Sequence, residues 1–314
     1  MLRLLARRLL QLLLTVVLAT TVIFVLIHLS GDPTQGFMPV GASPEVREAT
    51  RARLRLDDPL WQQYVRFVGN GLTGDFGESW RDRRPALNAV LDRLPATLAL
   101  AVAAVATALA GGVVLGVVSA TAGPRLLSAA VSAFALAGQA MPAFWLGTML
   151  ILLFAVRLGW LPSSGNEAPV ALVLPTLTLA AHPGSMIARL IATGMADVGR
   201  SDYIRTARGK GLPPRVVALR HALPNALLPA LAYLGLQAGF LIGGAVVIES
   251  VFAWPGVGRL ALQAATQRDL PVIHAFVAVT ATGIVLINLL VDLAVVLIDP
   301  RQRGRDVPGV RTHG

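Results

Sequence analysis

The chain has 314 residues, of which 55% are hydrophobic and 14% charged, and its mean hydropathy is +0.67. A water-facing surface needs more charge than that, so an ordinary soluble domain is excluded. The formal net charge of +10 does not indicate a nucleic-acid binder, because the basic residues lie between apolar runs and not on one soluble face. With no cysteine, the chain has neither a disulfide framework nor a thiolate metal site.

In chain order, the apolar runs are Leu9 to Leu29, Pro95 to Val118, Ser128 to Val156, Val170 to Ile191, Ala226 to Ile248 and Val272 to Ile298. Each is long enough to cross about 30 Å of hydrocarbon at 1.5 Å per residue. Backbone groups in lipid must be satisfied within their own segment, and the short alternating segments of a barrel are absent. The fold class is therefore an all-α membrane protein of about six transmembrane helices. The first run follows Arg3, Arg7 and Arg8 like a signal peptide, but Ser30-Gly31-Asp32-Pro33 lacks a small-x-small cleavage pattern, so it is read as a retained anchor.

Residues 31–93 are expected to form an extracytoplasmic loop domain. Pro44 to Leu56 reads as a short helix with Ser43 as its cap and Glu45 in its first turn. Trp61, Tyr64 and Phe67 then recur at helical spacing, which fits aromatics resting at the membrane interface as well as ligand contact. Gly138, Pro142, Pro175, Pro183, Pro229, Gly243 and Gly244 mark bends or close packing within the spans, which membrane helices tolerate.

Arginine and lysine set the orientation. They cluster at the N-terminus, in the tail at Arg301, Arg303 and Arg305, and between Ile191 and Ala226 at Arg200, Arg205, Arg208, Lys210, Arg215 and Arg220. By the positive-inside rule all three regions are cytoplasmic, which an even number of spans permits. The short outer connections hold a balanced mixture that includes Glu249, Arg259, Arg268 and Asp269. The expected organisation is an anchor helix at 1–30, the loop domain at 31–93, a five-helix core at 94–300 with a cytoplasmic loop at 197–224, and a tail at 301–314.

That cytoplasmic loop carries the most information. Asp202-Tyr203-Ile204-Arg205-Thr206-Ala207-Arg208-Gly209-Lys210-Gly211-Leu212 reads as a short helix with acid at its N-terminal end and bases near its C-terminal end. Gly211 is suited to a left-handed closing conformation, and Pro213 and Pro214 prevent continuation. A basic helix held under a bilayer either attracts anionic lipid or docks in a partner's groove, and spacing does not choose between them.

The loop resembles the EAA motif of binding-protein-dependent ABC importers, in which EAA, three residues, glycine, nine residues and IxLP follow in order. Arg205-Thr206-Ala207 stands at the EAA positions, Gly211 at the glycine and His221-Ala222-Leu223-Pro224 at IxLP. The arginine and the histidine depart from the general motif, but the form DYIRTARxKGL is similar to the dipeptide, oligopeptide and nickel permease branch. Further stretches share that resemblance: Gly31-Asp32-Pro33, Gly74 to Ser79, Pro142 to Gly147, Glu249 to Leu260 and Asp299-Pro300-Arg301.

The resemblance implies a type I importer permease in the inner (cytoplasmic) membrane, paired as the first of two permease subunits. Its other partners would be two cytoplasmic ATPase subunits, an extracytoplasmic substrate-binding protein and membrane lipid. It further implies that Asp202 to Leu212 fits a cleft on the ATPase, with Tyr203 and Ile204 as apolar anchors and Arg205, Arg208 and Lys210 facing acidic residues. ATP and magnesium would be bound by the ATPase partners and no cofactor by this chain. Peptide is the first expectation for cargo and a nickel or metal chelate the alternative. Gln139, Met141, Gln237 and Asn288 are polar or soft groups within spans, candidates for the translocation path or for helix contacts.

No other engine is visible. Gly209-Lys210-Gly211 lacks the spacing and hydroxyl of a phosphate-binding loop, and the five histidines are scattered without metal-ligand spacing. Neither a catalytic nor a metal site is expected. An ion-coupled secondary transporter would need buried ionisable groups, for which His182, His274 and Asp292 are the candidates. His274 and Asp292 lie near the ends of the last run, where snorkelling to the interface is open to them.

Overall fold

The computed structural model describes residues 2–29, 43–53, 57–121 and 125–298. Every regular element among them is helical; the nearest thing to a strand pairing is an isolated bridge between Glu78 and Pro85. The elements are α1 (Leu2–Leu29), α2 (Pro44–Arg53), α3 (Leu60–Thr73), α4 (Ala86–Leu91), α5 (Leu94–Thr121), α6 (Arg125–Ala140), α7 (Ala143–Leu150), α8 (Val173–Val198), α9 (Asp202–Gly209), α10 (Pro214–Val216), α11 (Leu223–Val251), α12 (Val257–Thr266) and α13 (Leu270–Ile298). A π-helical turn, Ile151–Arg157, extends α7, and a second, Val217–Ala222, joins α10 to α11.

Three described stretches are long and apolar enough to cross a membrane: Ala86–Thr121, Pro169–Val198 and Leu270–Val291. Helices α1 and α11, of 28 and 29 residues, are of comparable length. The run from Ser128 to Val156 differs from the single span expected of it. It breaks at Met141-Pro142, with Pro142 extended (φ −60°, ψ 133°) ahead of α7. The physical reason is that proline has no N–H to donate and its ring clashes with the carbonyl four residues back.

The chain folds into two compact units. The first comprises Met1–Thr107, Ala140–His182 and Leu241–Gly283. Here Tyr64 and Phe67 of α3 pack on Phe24 of α1, with ring centroids 5.4 and 5.6 Å apart, and the Tyr64 hydroxyl lies 2.7 Å from Thr21 Oγ1. Two of the three periodic aromatics thus join α3 to α1, while Trp61 is exposed.

The same unit buries two of the charges expected in open outer connections. Glu249 is fully buried and Asp269 is 4% exposed. Glu249 Oε1 accepts from Thr97 Oγ1 at 2.5 Å and Oε2 from the Arg259 N–H at 3.0 Å, while Thr97 Oγ1 accepts from the Val257 N–H at 2.9 Å. A Cβ at Gly256 would fall on this carboxylate, and one at Gly258 would come within 2.6 Å of the Val246 backbone, so the chain passes only because both are glycine. Asp269 accepts from Ser79 Oγ at 2.5 Å and from the Trp80 N–H at 3.2 Å, tying the turn after Gly74 to the start of α13. Burial of a carboxylate is tolerated because donors replace its water. In the same unit Ala86 and Val90 pack with Val257, Ala264, Val272 and Ala275 in one apolar cluster.

The second unit comprises Ala108–Gln139, Pro183–Phe240 and Ile284–Gly314. Its spine is a close crossing of α5 and α8. Cβ atoms built at Gly112 and Gly116 would come within 2.7 Å of the Gly184 carbonyl and 2.6 Å of Ile191 Cβ, so both backbones approach as only small residues allow. A Cβ at Gly194 of α8 would lie 3.1 Å from Ala226 Cβ of α11. Helices α8 and α11, on either side of the loop that holds α9, therefore meet directly at its base.

Candidate functional site

The loop after α8 folds back as a short helix. Ser201 occupies the cap position, but its hydroxyl donates to the Val198 carbonyl at 2.6 Å and does not cap α9. Asp202 opens the helix at the favourable end of the dipole. Gly211 closes it with φ +75°, where its N–H reaches the Arg208 carbonyl at 3.0 Å and the Leu212 N–H reaches the Ala207 carbonyl at 3.4 Å. That left-handed conformation is what a side chain resists and glycine accepts.

Burial sorts the candidate coupling residues into two faces. Ile204 is 1% exposed and Ala207 7%, and α9 rests on the π turn Val217–Ala222. Ile204 is therefore not available as a surface anchor for a partner; its apolar side chain is spent holding α9 to its own loop. Tyr203, Arg205, Thr206, Arg208, Lys210 and Gly211 are exposed, and Leu212 is half-buried. Asp202 and Arg205 form an ion pair at 3.0 Å, with side chains 86% and 84% exposed. A pair so open to water contributes little to stability. Tyr203 keeps its ring exposed while its hydroxyl accepts from Asn225 Nδ2 of α11 at 2.9 Å. The π turn runs without interruption into α11 at Leu223. α9 is thus tied to a long apolar helix through one hydrogen bond and one packed turn.

The path candidates are not gathered into one place. Gln139 lines a cavity of about 390 Å³ in the second unit, together with Ser119, Arg189 and Thr193, and Ala135, Leu136, Ala188 and Ala192 complete its wall. Gln237 donates to the Tyr233 hydroxyl at 2.8 Å on its own helix, and neither Gln237 nor Asn288 lines that cavity. Met141 stands at the helix break in the first unit, 38% exposed.

The titratable candidates fare differently. His182 is exposed, and the side chain of Asp292 lies outside the described residues. His274 does not snorkel: it is 8% exposed, its ring lies edge-on to Phe67 at 4.2 Å between centroids, and its Nε2 has no hydrogen-bond partner among the described residues. The charged residue that pattern reading passed over is Arg189. Its signal was present, as a single cation in the apolar run from Val170 to Ile191.

Long apolar helices, with α8 and α11 in contact at the base of an exposed basic helix, define a helical membrane protein. Comparison with known proteins gives the family. Residues 112–304 match the model of the "Binding-protein-dependent transport system inner membrane component", and residues 1–101 match its N-terminal companion. The glutathione transport system permease protein GsiC of Escherichia coli strain K12 is 38% identical over 304 residues, covering 96% of this chain and 99% of that protein. GsiC of Shigella dysenteriae serotype 1 gives the same values. Among solved structures, an inward-facing MetNI methionine ABC transporter aligns with TM-score 0.53 at 21% identity, covering 67% of this chain and 96% of that one, which shows the fold.

The chain belongs to the binding-protein-dependent transport system inner membrane component family, in its peptide and nickel branch. It is an ABC importer permease of the inner membrane, in a family of generally non-catalytic subunits that work with an ATPase and a substrate-binding protein.

Proposed function

We propose that this chain forms half of the translocation pathway for short peptides of the glutathione kind, received from an extracytoplasmic binding protein. It has six spans with both termini cytoplasmic, pairs with a second, different permease, and is driven by two ATPase subunits that hold ATP and magnesium. The ATPase docks on the exposed face of α9, where Tyr203, Arg205, Arg208 and Lys210 meet an acidic cleft and Gly211 allows close backbone approach. The observation that carries this reading is a cationic helix whose buried face is fixed to α11 and whose exposed face is left for a partner. The peptide class is supported by the identity to the glutathione permeases over almost their full length.

The experiment is reconstitution of the assembled importer in vesicles with its binding protein. Uptake of a labelled tripeptide is expected only with ATP and the ATPase subunits. Uptake by this chain alone, driven by a proton gradient, would overturn the reading. Membrane-impermeant labelling of Lys210 from the extracytoplasmic side of intact cells would refute the orientation.

A further inference from the structure

Arg189 lies on α8, nine residues before Val198 and so about 13 Å along the axis from the helix end. Every other residue of α8 from Val173 to Met195 is uncharged apart from His182, so this guanidinium stands alone in an apolar segment. It is exposed in the isolated subunit, and among the described residues no hydrogen bond or ion pair engages its side chain. Cations are costly at such positions, and where they are kept they face an interior or a water-filled path and have a partner there.

The partner has a place to sit. Arg189 borders the cavity of about 390 Å³ between α5, α6 and α8, and its other polar edges are Ser119, Gln139 and Thr193. These neighbours are neutral hydrogen-bonding groups, and among the described residues no acidic side chain lines the space to cancel the positive charge. The size falls within the range of small-ligand pockets, about 300–1,000 Å³. A planar fork of donors matches a carboxylate or a phosphate held by two parallel hydrogen bonds, and of these two a peptide carries the carboxylate. Thr193 follows Arg189 by one helical turn on the same face; its hydroxyl bonds the Arg189 carbonyl at 2.9 Å and so leaves the guanidinium free.

We infer that this cavity is a carboxylate subsite of the translocation path, in which Arg189 receives a terminal carboxylate of the passing peptide. The inference rests on the peptide reading above and assigns the group that is recognised. One cation with few polar neighbours binds weakly enough for the cargo to leave, as conduction requires.

The test uses the absence of cysteine from this chain, which makes Thr193→Cys its unique thiol. The assembled importer carrying that substitution is reconstituted in zwitterionic-lipid vesicles and treated with a maleimide. The probes are S-methylglutathione, which has no free thiol, and its dimethyl ester, which has no free carboxylate. Labelling is expected to proceed without peptide and to slow at millimolar S-methylglutathione but not with the ester. Adding Arg189→Gln is expected to weaken that protection about tenfold, the loss of one charge-assisted fork, and Arg189→Lys to weaken it less. Size-exclusion chromatography checks assembly of each variant.

No labelling of Thr193→Cys, or equal protection by acid and ester, overturns the subsite. So does protection by anionic lipid without peptide, which would make a lipid headgroup the occupant. Loss of the permease pair in both Arg189 variants would make the residue an intersubunit contact and overturn it too. Failure of protection with ATP-driven peptide uptake intact removes this inference alone, whereas absence of peptide uptake removes the reading beneath it.

Discussion

Thr97→Val replaces a hydroxyl by a methyl of nearly the same volume, at a side chain 1% exposed. That hydroxyl serves two partners: it donates to Glu249 Oε1 at 2.5 Å and accepts from the Val257 N–H at 2.9 Å. Valine leaves a buried carboxylate short of one donor and a buried N–H with no acceptor. The first loss is worth about 1.5–3 kcal/mol, as for hydrogen bonds to charged groups, and an orphaned buried N–H costs about 1–3 kcal/mol more. The expected destabilisation is about 3–5 kcal/mol, which corresponds to a fall in unfolding temperature of about 10 °C for a chain of this size. The assay is thermal unfolding of the purified permease in detergent, followed by aggregation or tryptophan fluorescence. Thr97→Ser keeps the hydroxyl and is expected to retain most of the stability. If Thr97→Val and Thr97→Ser unfold within about 2 °C of each other, the hydroxyl is not the link between α5 and the α11–α12 turn, and the reasoning fails.

Gly116→Ala is expected to destabilise by about 1–3 kcal/mol, because its Cβ would lie 2.6 Å from Ile191 Cβ and 2.7 Å from the Ala188 carbonyl; Gly111→Ala, with nothing within 4 Å, is expected to be neutral or mildly stabilising in the same unfolding assay. Gly211→Val is expected to uncouple ATP hydrolysis from uptake, because φ +75° is strained for a β-branched residue, while Gly211→Asn retains more uptake because asparagine tolerates that region; equal uptake by both would refute the conformational role. Arg208→Glu and Lys210→Glu are expected to weaken ATPase association, most clearly at low salt, with unfolding temperature unchanged. Asp202→Asn removes a solvent-exposed ion pair and the acidic charge at the N-terminal end of α9, and is expected to lower the unfolding temperature by about 2 °C or less.

Much of this protein is legible as a linear pattern. Apolar run length against bilayer thickness marks the long apolar helices, and the local sequence Asp202 to Pro214 prescribes a helix closed by a left-handed glycine. Both are short-range effects, set by hydrogen bonding within one segment and by the dihedral freedom of single residues. Pro142 carried its signal too, but the surrounding apolarity of Ser128 to Val156 concealed that the proline ends one helix and begins another.

What depended on long-range packing could not be read that way. Glu249 and Asp269 stand among loop-like residues, and only the approach of Thr97 and Ser79, more than 150 positions away in sequence, turns them into buried acceptors. Ile204 has the composition of a surface anchor, yet the π turn before α11 covers it. Gly112 and Gly116 look like any small residues until α8 lies against them. Hydropathy reports the cost of leaving a residue in water or lipid, whereas the partner that relieves this cost is chosen by which helices cross.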